Sequence, residues 1–393
     1  MSTSRTLRLA TRGSDLALRQ AAAVEEALGR RFDVEIVEVE TTGDQVRDEL
    51  IHRLGKTGAF VRSLDEKVEA GDVDAAVHSM KDVPTEGDGL VVAAVPERAD
   101  PADVLVTPDG KTLDELPDGA TVGTSSLRRT AQLLAERPDL DVQPLRGNVD
   151  TRIEKLLAPS LQAEHEERSE AEKRRKATAG EPLDSPEEDA EDVEVPDDWE
   201  FPYERDVEEW FSGLREIERQ ALGREVEIEY DAIVLARAGL ERAGLLHHVE
   251  AQSLPTDAFV PAPGQGALAV TAADGDLARD LNDALDHPRS RAETTVERTI
   301  LGELGGGCVA PLGVYAVLQG SVVRTTVRAL SRDGEEEVSL TRDLPVDRHD
   351  EAARELARDL ADQGARELIE RAKRESGAAA EDDAATAAET SEE

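Results

Sequence analysis

The chain has 393 residues, with 87 Asp and Glu against 46 Lys and Arg, for a formal net charge of −41. So negative a surface excludes nonspecific attraction to nucleic acid or to an anionic membrane, and no apolar run reaches the eighteen residues of a membrane span. A single cysteine excludes an intrachain disulfide and a thiolate metal cluster.

Met1-Ser2-Thr3-Ser4-Arg5 has no apolar signal core, which predicts a cytoplasmic protein. Leu7–Ala10 reads as a strand, and Ser14-Asp15 caps a helix to about Leu28. Val34–Val39 alternates apolar and acidic residues, as a half-buried strand does. Phe60–Ala70 reads as a helix, and Val73–Val77 and Val91–Val95 as strands. Strand and helix in alternation predict a mainly parallel sheet with covering helices.

After Pro101 the pattern restarts. Thr121–Gly123 is a strand, Ser126–Glu136 and Val149–Leu157 are helices, and Asp231–Ala236 is an apolar strand. Ala267–Thr271 reads as a strand of the first group. A helix from Ser290 to about Glu303 leads to Leu304-Gly305-Gly306-Gly307-Cys308. Val314–Arg342 reads as strands with a hairpin near Asp333-Gly334, and a long helix spans about Asp350–Arg374. The Ala/Glu/Asp-rich end, Gly377–Glu393, has the composition of a disordered tail.

Ser160–Glu229 stands apart. Its first half holds a basic knot, Lys173-Arg174-Arg175-Lys176, and then Glu, Asp and Pro, which predicts a solvated, flexible segment. Its second half holds Trp199, Phe201, Tyr203, Trp210 and Phe211, half of the chain's ten aromatics. So much ring area predicts docking, on the segment's own domain rather than on a partner. The cations are eight lysines and 38 arginines. Scarce lysine with excess carboxylate fits adaptation to concentrated salt, which screens self-repulsion.

Three turns carry arginine where strands give way to helices. They are Ala10-Thr11-Arg12-Gly13-Ser14, Gly123-Thr124-Ser125-Ser126-Leu127-Arg128-Arg129 and Leu145-Arg146-Gly147-Asn148-Val149-Asp150-Thr151-Arg152. Helix N-termini, hydroxyls and guanidinium forks together suit carboxylates or phosphates. Ion pairing with the abundant Asp and Glu explains any one arginine, but three such turns point to a ligand with several carboxylates. His78-Ser79-Met80-Lys81-Asp82-Val83-Pro84 follows a strand, at the end where parallel sheets place active groups. Asp82, beside Lys81, suits a group that steadies a developing cation or shuttles a proton. An exposed turn held by Pro84 fits the same residues. Cys308 is either a buried apolar cysteine or a thiol that does chemistry, and its glycines favour access.

Taken together these segments resemble the porphobilinogen deaminase (hydroxymethylbilane synthase) family, of a halophilic archaeal type. Its motifs correspond in order to Ala10–Leu18, Thr41-Thr42-Gly43-Asp44, His78–Pro84, Gly123–Arg129, Leu145–Asn148, Pro263-Gly264-Gln265-Gly266-Ala267 and Gly306-Gly307-Cys308. The resemblance implies an α/β fold of three domains. Two are lobes like those of periplasmic binding proteins, with mainly parallel sheets, and the third is a smaller α+β domain. The implied boundaries are 1–100 plus 261–285, then 101–260 with the insertion 160–229, then 286–376 with Cys308, before a tail at 377–393.

The resemblance also implies the reaction. Four porphobilinogen units join head to tail, with loss of ammonia, into hydroxymethylbilane for porphyrin biosynthesis, on a dipyrromethane cofactor held by a thioether to Cys308. Asp82 and Lys81 take the catalytic positions. Arg128, Arg129, Ser125 and Ser126, with Lys81 and Asp82, take cofactor positions. Arg12, Ser14, Thr124, Arg146, Arg152 and Gln265 take substrate positions. Lys56 corresponds loosely, since Thr57 stands where the family has its lysine. A monomer is expected, with no nucleic-acid or membrane partner. A non-catalytic anion-binding protein of two lobes would explain the arginine turns equally well, but neither Gly306-Gly307-Cys308 nor Lys81-Asp82.

Overall fold

The computed structural model describes residues 6–29, 31–39, 59–85, 89–183, 193–196, 198–306 and 310–375, without the side chains of 59 and 60. Lys56, Cys308, the Thr41–Asp44 stretch and the tail from Gly377 lie outside the described residues.

The first lobe is built on β1 (Thr6–Arg12), β2 (Asp33–Val39), β3 (Ala75–Ser79), β4 (Leu90–Ala94) and β10 (Leu268–Ala273), in the order β2-β1-β3-β10-β4. β1 runs parallel to β2 and β3, while β10 runs antiparallel to β3 and β4. Helices α1 (Asp15–Leu28) and α8 (Asp276–Leu285) cover one face, closing Leu7, Leu9, Val24, Leu28 and Leu281 into a core. Helix α2 (Ala59–Glu69) covers the other through Leu64 and Val68. With both faces covered, the first four residues of β3 are buried without alternation.

The second lobe repeats this plan. Its strands β5 (Asp103–Thr107), β6 (Thr121–Gly123), β7 (Asp141–Gln143), β8 (Ala232–Ala236) and β9 (Glu250–Ser253) lie in the order β7-β6-β8-β5-β9. β6 is parallel to β7 and β8, and β5 is antiparallel to β8 and β9. α3 (Leu127–Glu136) covers one face, and α4 (Val149–Ala179) with α7 (Arg237–Ala243) the other. The antiparallel strand comes first in this lobe and last in the other, so the chain crosses twice between them, before β5 and before β10.

The third body is an antiparallel sheet of β11 (Leu312–Gln319), β12 (Val322–Leu330) and β13 (Glu337–Pro345). The expected hairpin at Asp333-Gly334 joins the last two strands. α9 (Pro288–Glu303), α10 (His349–Asp362) and a helix at 365–375 form one core with this sheet. The single long helix expected over Asp350–Arg374 is two, because the chain turns at Gln363-Gly364, where Gly364 takes φ +96°.

The segment expected to be flexible from Ser160 begins as helix. α4 runs unbroken for 31 residues, through Pro159 and the basic knot. Its polar composition concealed two supports. Glu164–Arg168, Glu170–Lys173 and Glu172–Arg175 pair along the helix at spacings of three and four. α6 (Glu216–Leu222) and the chain after it also hold the helix: Gln162 donates to the carbonyls of Leu222 and Arg224, and Glu154 pairs with Arg224.

Four of the five aromatics dock as expected on their own lobe, while Phe211 is left exposed. The Arg168 guanidinium lies 4.2 Å from the Tyr203 ring and 5.3 Å from that of Trp210, which is buried at the start of α4's covering layer, in α5 (Val207–Gly213). Trp199, Phe201 and Tyr203 meet edge to face in sequence.

Candidate active site

The described turns proposed by sequence follow the carboxyl ends of parallel strands. Arg12 closes β1, Met80–Asp82 follows β3, Thr124–Arg129 follows β6, and Leu145–Arg152 follows β7. In open α/β sheets this is the edge where ligands bind.

In the second lobe the two turns are laced together. Thr124 N–H donates to the Gln143 carbonyl at 2.9 Å, and the Ser125 hydroxyl donates to the Leu145 carbonyl at 2.6 Å. Thr124 is buried, and its hydroxyl oxygen accepts from Ser126 N–H at 3.2 Å. Ser126 caps α3 by position, without a side-chain bond to the helix. Asn148 caps α4 by accepting from Thr151 N–H at 2.9 Å, which brings Arg152 onto the first turn. Arg152 donates through Nε to the Gly147 carbonyl at 2.8 Å, and no carboxylate pairs with it among the described residues. Burial, and then the nearby charge of Arg129, push its pKa down to about 10. Arg146 is half-buried.

Arg128 and Arg129 do not face outward from their turn. Both are buried and converge on Asp103, the first residue of β5, which is wholly buried. Arg129 donates to Asp103 Oδ1 from Nε at 3.0 Å and Nη2 at 2.8 Å, and Arg128 Nη2 lies 2.8 Å from Oδ2. Gln265 completes the knot. Its amide nitrogen donates to Asp103 and to the Pro101 carbonyl, and its oxygen accepts from Arg128. Burial works to raise the Asp103 carboxyl, but Arg128 and Arg129 outweigh it and hold the pKa down at about 2. Two guanidiniums against one carboxylate leave a net positive charge, and Arg128 Nε is buried with no partner. Sequence reasoning missed Asp103. Its only signal is a carboxylate opening the otherwise apolar strand Asp103-Val104-Leu105-Val106-Thr107.

The first lobe contributes the opposite sign. β3 ends in one tight turn, Met80–Asp82. Met80 is buried and its N–H donates to the Ala267 carbonyl at 3.0 Å. Gly264, with φ +74°, packs onto it so closely that a Cβ there would lie 2.7 Å from Met80 Cγ. Lys81 and Asp82 are exposed, and no described residue bonds the Asp82 carboxylate. Arg12 is half-buried, and Ser14 caps α1 by accepting from Ala17 N–H at 3.4 Å. Residues Gly264 and Gln265 thus join Asp82's turn to the Asp103 knot, bringing the two sets of turns to one crossing.

A buried ion pair ties the third body to the same crossing. Arg98 meets Glu297 of α9 through both nitrogens, at 2.8 and 3.0 Å, and Glu297 also accepts from Gly264 N–H and Ala316 N–H. The approach to position 308 is anchored too. Arg366 donates to the Glu303 carbonyl at 2.7 Å, and Lys373 donates to that of Gly305.

The family models fit both parts of this arrangement. Porphobilinogen deaminase, dipyromethane cofactor binding domain, matches residues 7–164 and 214–280, and the family's C-terminal domain matches 292–363. The chain belongs to the porphobilinogen deaminase family. A probable porphobilinogen deaminase of Halobacterium salinarum is 55% identical over 95% of this chain and 99% of its own, in keeping with a halophilic type. One from Methanococcoides burtonii is 36% identical over 93% and 96%, and a porphobilinogen deaminase of Geobacillus kaustophilus is 36% identical over 95% and 99%. The family model passes over 165–213, the stretch holding the end of α4, the aromatic loop and α5.

The reaction of porphobilinogen deaminase is the stepwise condensation of four porphobilinogen molecules into hydroxymethylbilane on a dipyrromethane primer, in tetrapyrrole synthesis. The residues present fit that cofactor and its substrate. Each pyrrole ring carries an acetate and a propionate, and the crossing holds surplus guanidinium charge, with Arg152 lacking a carboxylate. Among the described residues no group of His, Cys, Asp and Glu side chains is arranged to hold a metal ion, and no helix is long and apolar enough to cross a membrane.

Proposed function

We propose that Asp82 is the carboxylate that drives condensation and that Cys308 carries the dipyrromethane through a thioether. The observation supporting this is the pairing of opposites at one crossing. Among the described residues, Asp82 stands exposed with no bonded partner in the first lobe, while Arg152 stands without a carboxylate in the second.

The dipyrromethane supplies a free α-carbon as the acceptor for each incoming pyrrole. Loss of ammonia from porphobilinogen, and attack on the resulting electron-poor ring, both put positive charge on pyrrole nitrogen. Asp82 accepts hydrogen bonds from those N–H groups and stabilises the charge as it develops. It also takes up or returns protons. Lys81 adds a cation beside that carboxylate in the catalytic turn. Ser125 and Ser126 take the cofactor's carboxylates at the turn, and Arg128 and Arg129, turned inward onto Asp103, lend their surplus positive charge from beneath it. Arg12, Ser14, Thr124, Arg146 and Arg152 hold the carboxylates of substrate, and Lys56 corresponds only loosely to the family's lysine. Gln265, its amide committed to Arg128, Asp103 and Pro101, serves by fixing Arg128 in place.

The three bodies follow the boundaries 1–100 plus 261–285, 101–260 and 286–376. The cell interior is the expected setting, with a monomer as the family resemblance implies, and the charge of −41 disfavours a nucleic-acid partner.

Intact mass tests the thioether. The purified protein should exceed its sequence mass by one dipyrromethane, and Cys308→Ser should remove the excess. An active wild type of unmodified mass would end the cofactor assignment.

A further inference from the structure

We infer that Arg298 is the positioning residue that holds the Asp82 turn in place; this rests on the role proposed for Asp82. Two arginines of α9, seven residues apart and so on one face, reach from the third body into the first lobe. Arg291 donates to the carbonyls of Val92 and Ala93, each at 3.0 Å, and is paired with Asp286 at 2.7 Å. Arg298 donates to the carbonyls of Val83 and Pro84, each at 2.7 Å. These directly follow Asp82.

The two arginines share a geometry but not a setting. Arg291 grips a regular strand and has its own carboxylate. Arg298 has none among the described residues, and burial pushes its pKa down. An unneutralised, half-buried cation is a poor choice for stability alone. Its fork is suited to something else, the fixing of two successive carbonyls that no strand partners.

The Asp82 turn needs such fixing. From below it is held by Met80 N–H on Ala267 and by Val83 N–H on the Met80 carbonyl. Among the described residues, no side chain other than Arg298 bonds residues 82–85. Beside the turn lies a cavity of about 490 Å³ whose wall includes Met80, Thr85, Arg298 and Thr299, so the turn has room to shift if released.

The helix bearing Arg298 also leads to the thiol. Ten residues separate Arg298 from Cys308. The intervening carbonyls of Glu303 and Gly305 are pinned by Arg366 and Lys373. Helix α9 therefore joins this pinned root to the turn that carries the proposed reacting carboxylate. A misplacement of about 1 Å at a reacting centre can cost on the order of a hundredfold in rate.

The test compares holoenzymes of Arg298→Ala, Arg298→Lys, Arg291→Ala, Asp82→Asn and the Asp82→Asn/Arg298→Ala double. Each is checked by intact mass and thermal unfolding before kinetics. Arg298→Ala should keep the dipyrromethane mass, lose between about ten- and a hundredfold in kcat, and change KM by less than about threefold. Arg298→Lys, which keeps the charge and one donor, should recover part of the rate and stands in if the alanine variant does not fold. Arg291→Ala, equally an interface arginine, should lower the unfolding temperature with kcat near wild type. The double should be about as slow as Asp82→Asn alone, because Arg298 acts through that carboxylate. Three results overturn the inference: kcat within about twofold of wild type in Arg298→Ala, an equal kcat loss in Arg291→Ala, or full multiplication of the two losses in the double. A fast Asp82→Asn would instead sink the reading of Asp82 itself, whichever way Arg298 behaves.

Discussion

The two lobes share one strand order, yet they treat the charges at their strand ends in opposite ways. After β3 the first lobe leaves Asp82 exposed, and unbonded among the described residues, on a turn held by backbone contacts and Arg298. After β6 the second lobe folds Arg128 and Arg129 inward onto Asp103 and keeps them from solvent. One aspartate is thus free to meet a ligand, and the other is fully engaged by protein. A common scaffold separates reactivity from architecture by where each carboxylate finds its counter-charge.

Four substitutions test that contrast, beginning with the heaviest consequence. Asp103→Asn strips the buried guanidiniums of their carboxylate and should cost about 3–5 kcal/mol of stability, read as a lower denaturation midpoint in concentrated salt. Its pH signature follows from the carboxyl being held near 2 in the fold, against about 3.9 when unfolded. Between those values the unfolded chain binds more protons, so the wild type keeps this stabilisation above about pH 4 and loses it as pH falls toward 2. The variant should lack that acid limb, and an unchanged acid profile would show that Asp103 is not the anchor.

Asp82→Asn should slow turnover by about a hundredfold or more with little change in unfolding temperature. A matching fall in stability would erase the distinction between the two aspartates. Arg152→Gln should raise KM by about tenfold, the worth of one charge-assisted hydrogen bond. Because it removes an uncompensated cation, it should leave the ligand-free fold as stable or more so, which equilibrium unfolding can check. Arg168→Ala lies outside the family match and should cost about 1 kcal/mol through its lost ring contacts. Steady-state rates should stay at the wild-type level, and a clear loss would bring the inserted segment into the reaction.

Much of this was legible in the chain. Periodicity located the five strands of the first lobe and β6 and β8 of the second, and the turn-borne arginines pointed to a ligand with several carboxylates. The short strands β5, β7 and β9 were not legible, since they are three to five residues long and β7 and β9 are laced with polar groups. The far half of α4 was misread as flexible because its supports are ion pairs and a neighbouring helix rather than an apolar stripe of its own. Arg128 and Arg129 read as a surface cradle because a sequence does not say which way a side chain turns.

By itself the sequence determined which chemical groups stand at the strand ends: a carboxylate after β3, guanidiniums after β1, β6 and β7, and a thiol after α9. Only the tertiary structure decided which of those charges are neutralised within the protein. Asp103 lies 25 residues from Arg128, Arg98 lies 199 residues from Glu297, and Arg298 lies 215 from Val83. Charge compensation depends on distance and burial. Those are set by strand order and the packing of three bodies at one crossing, not by spacing along the chain.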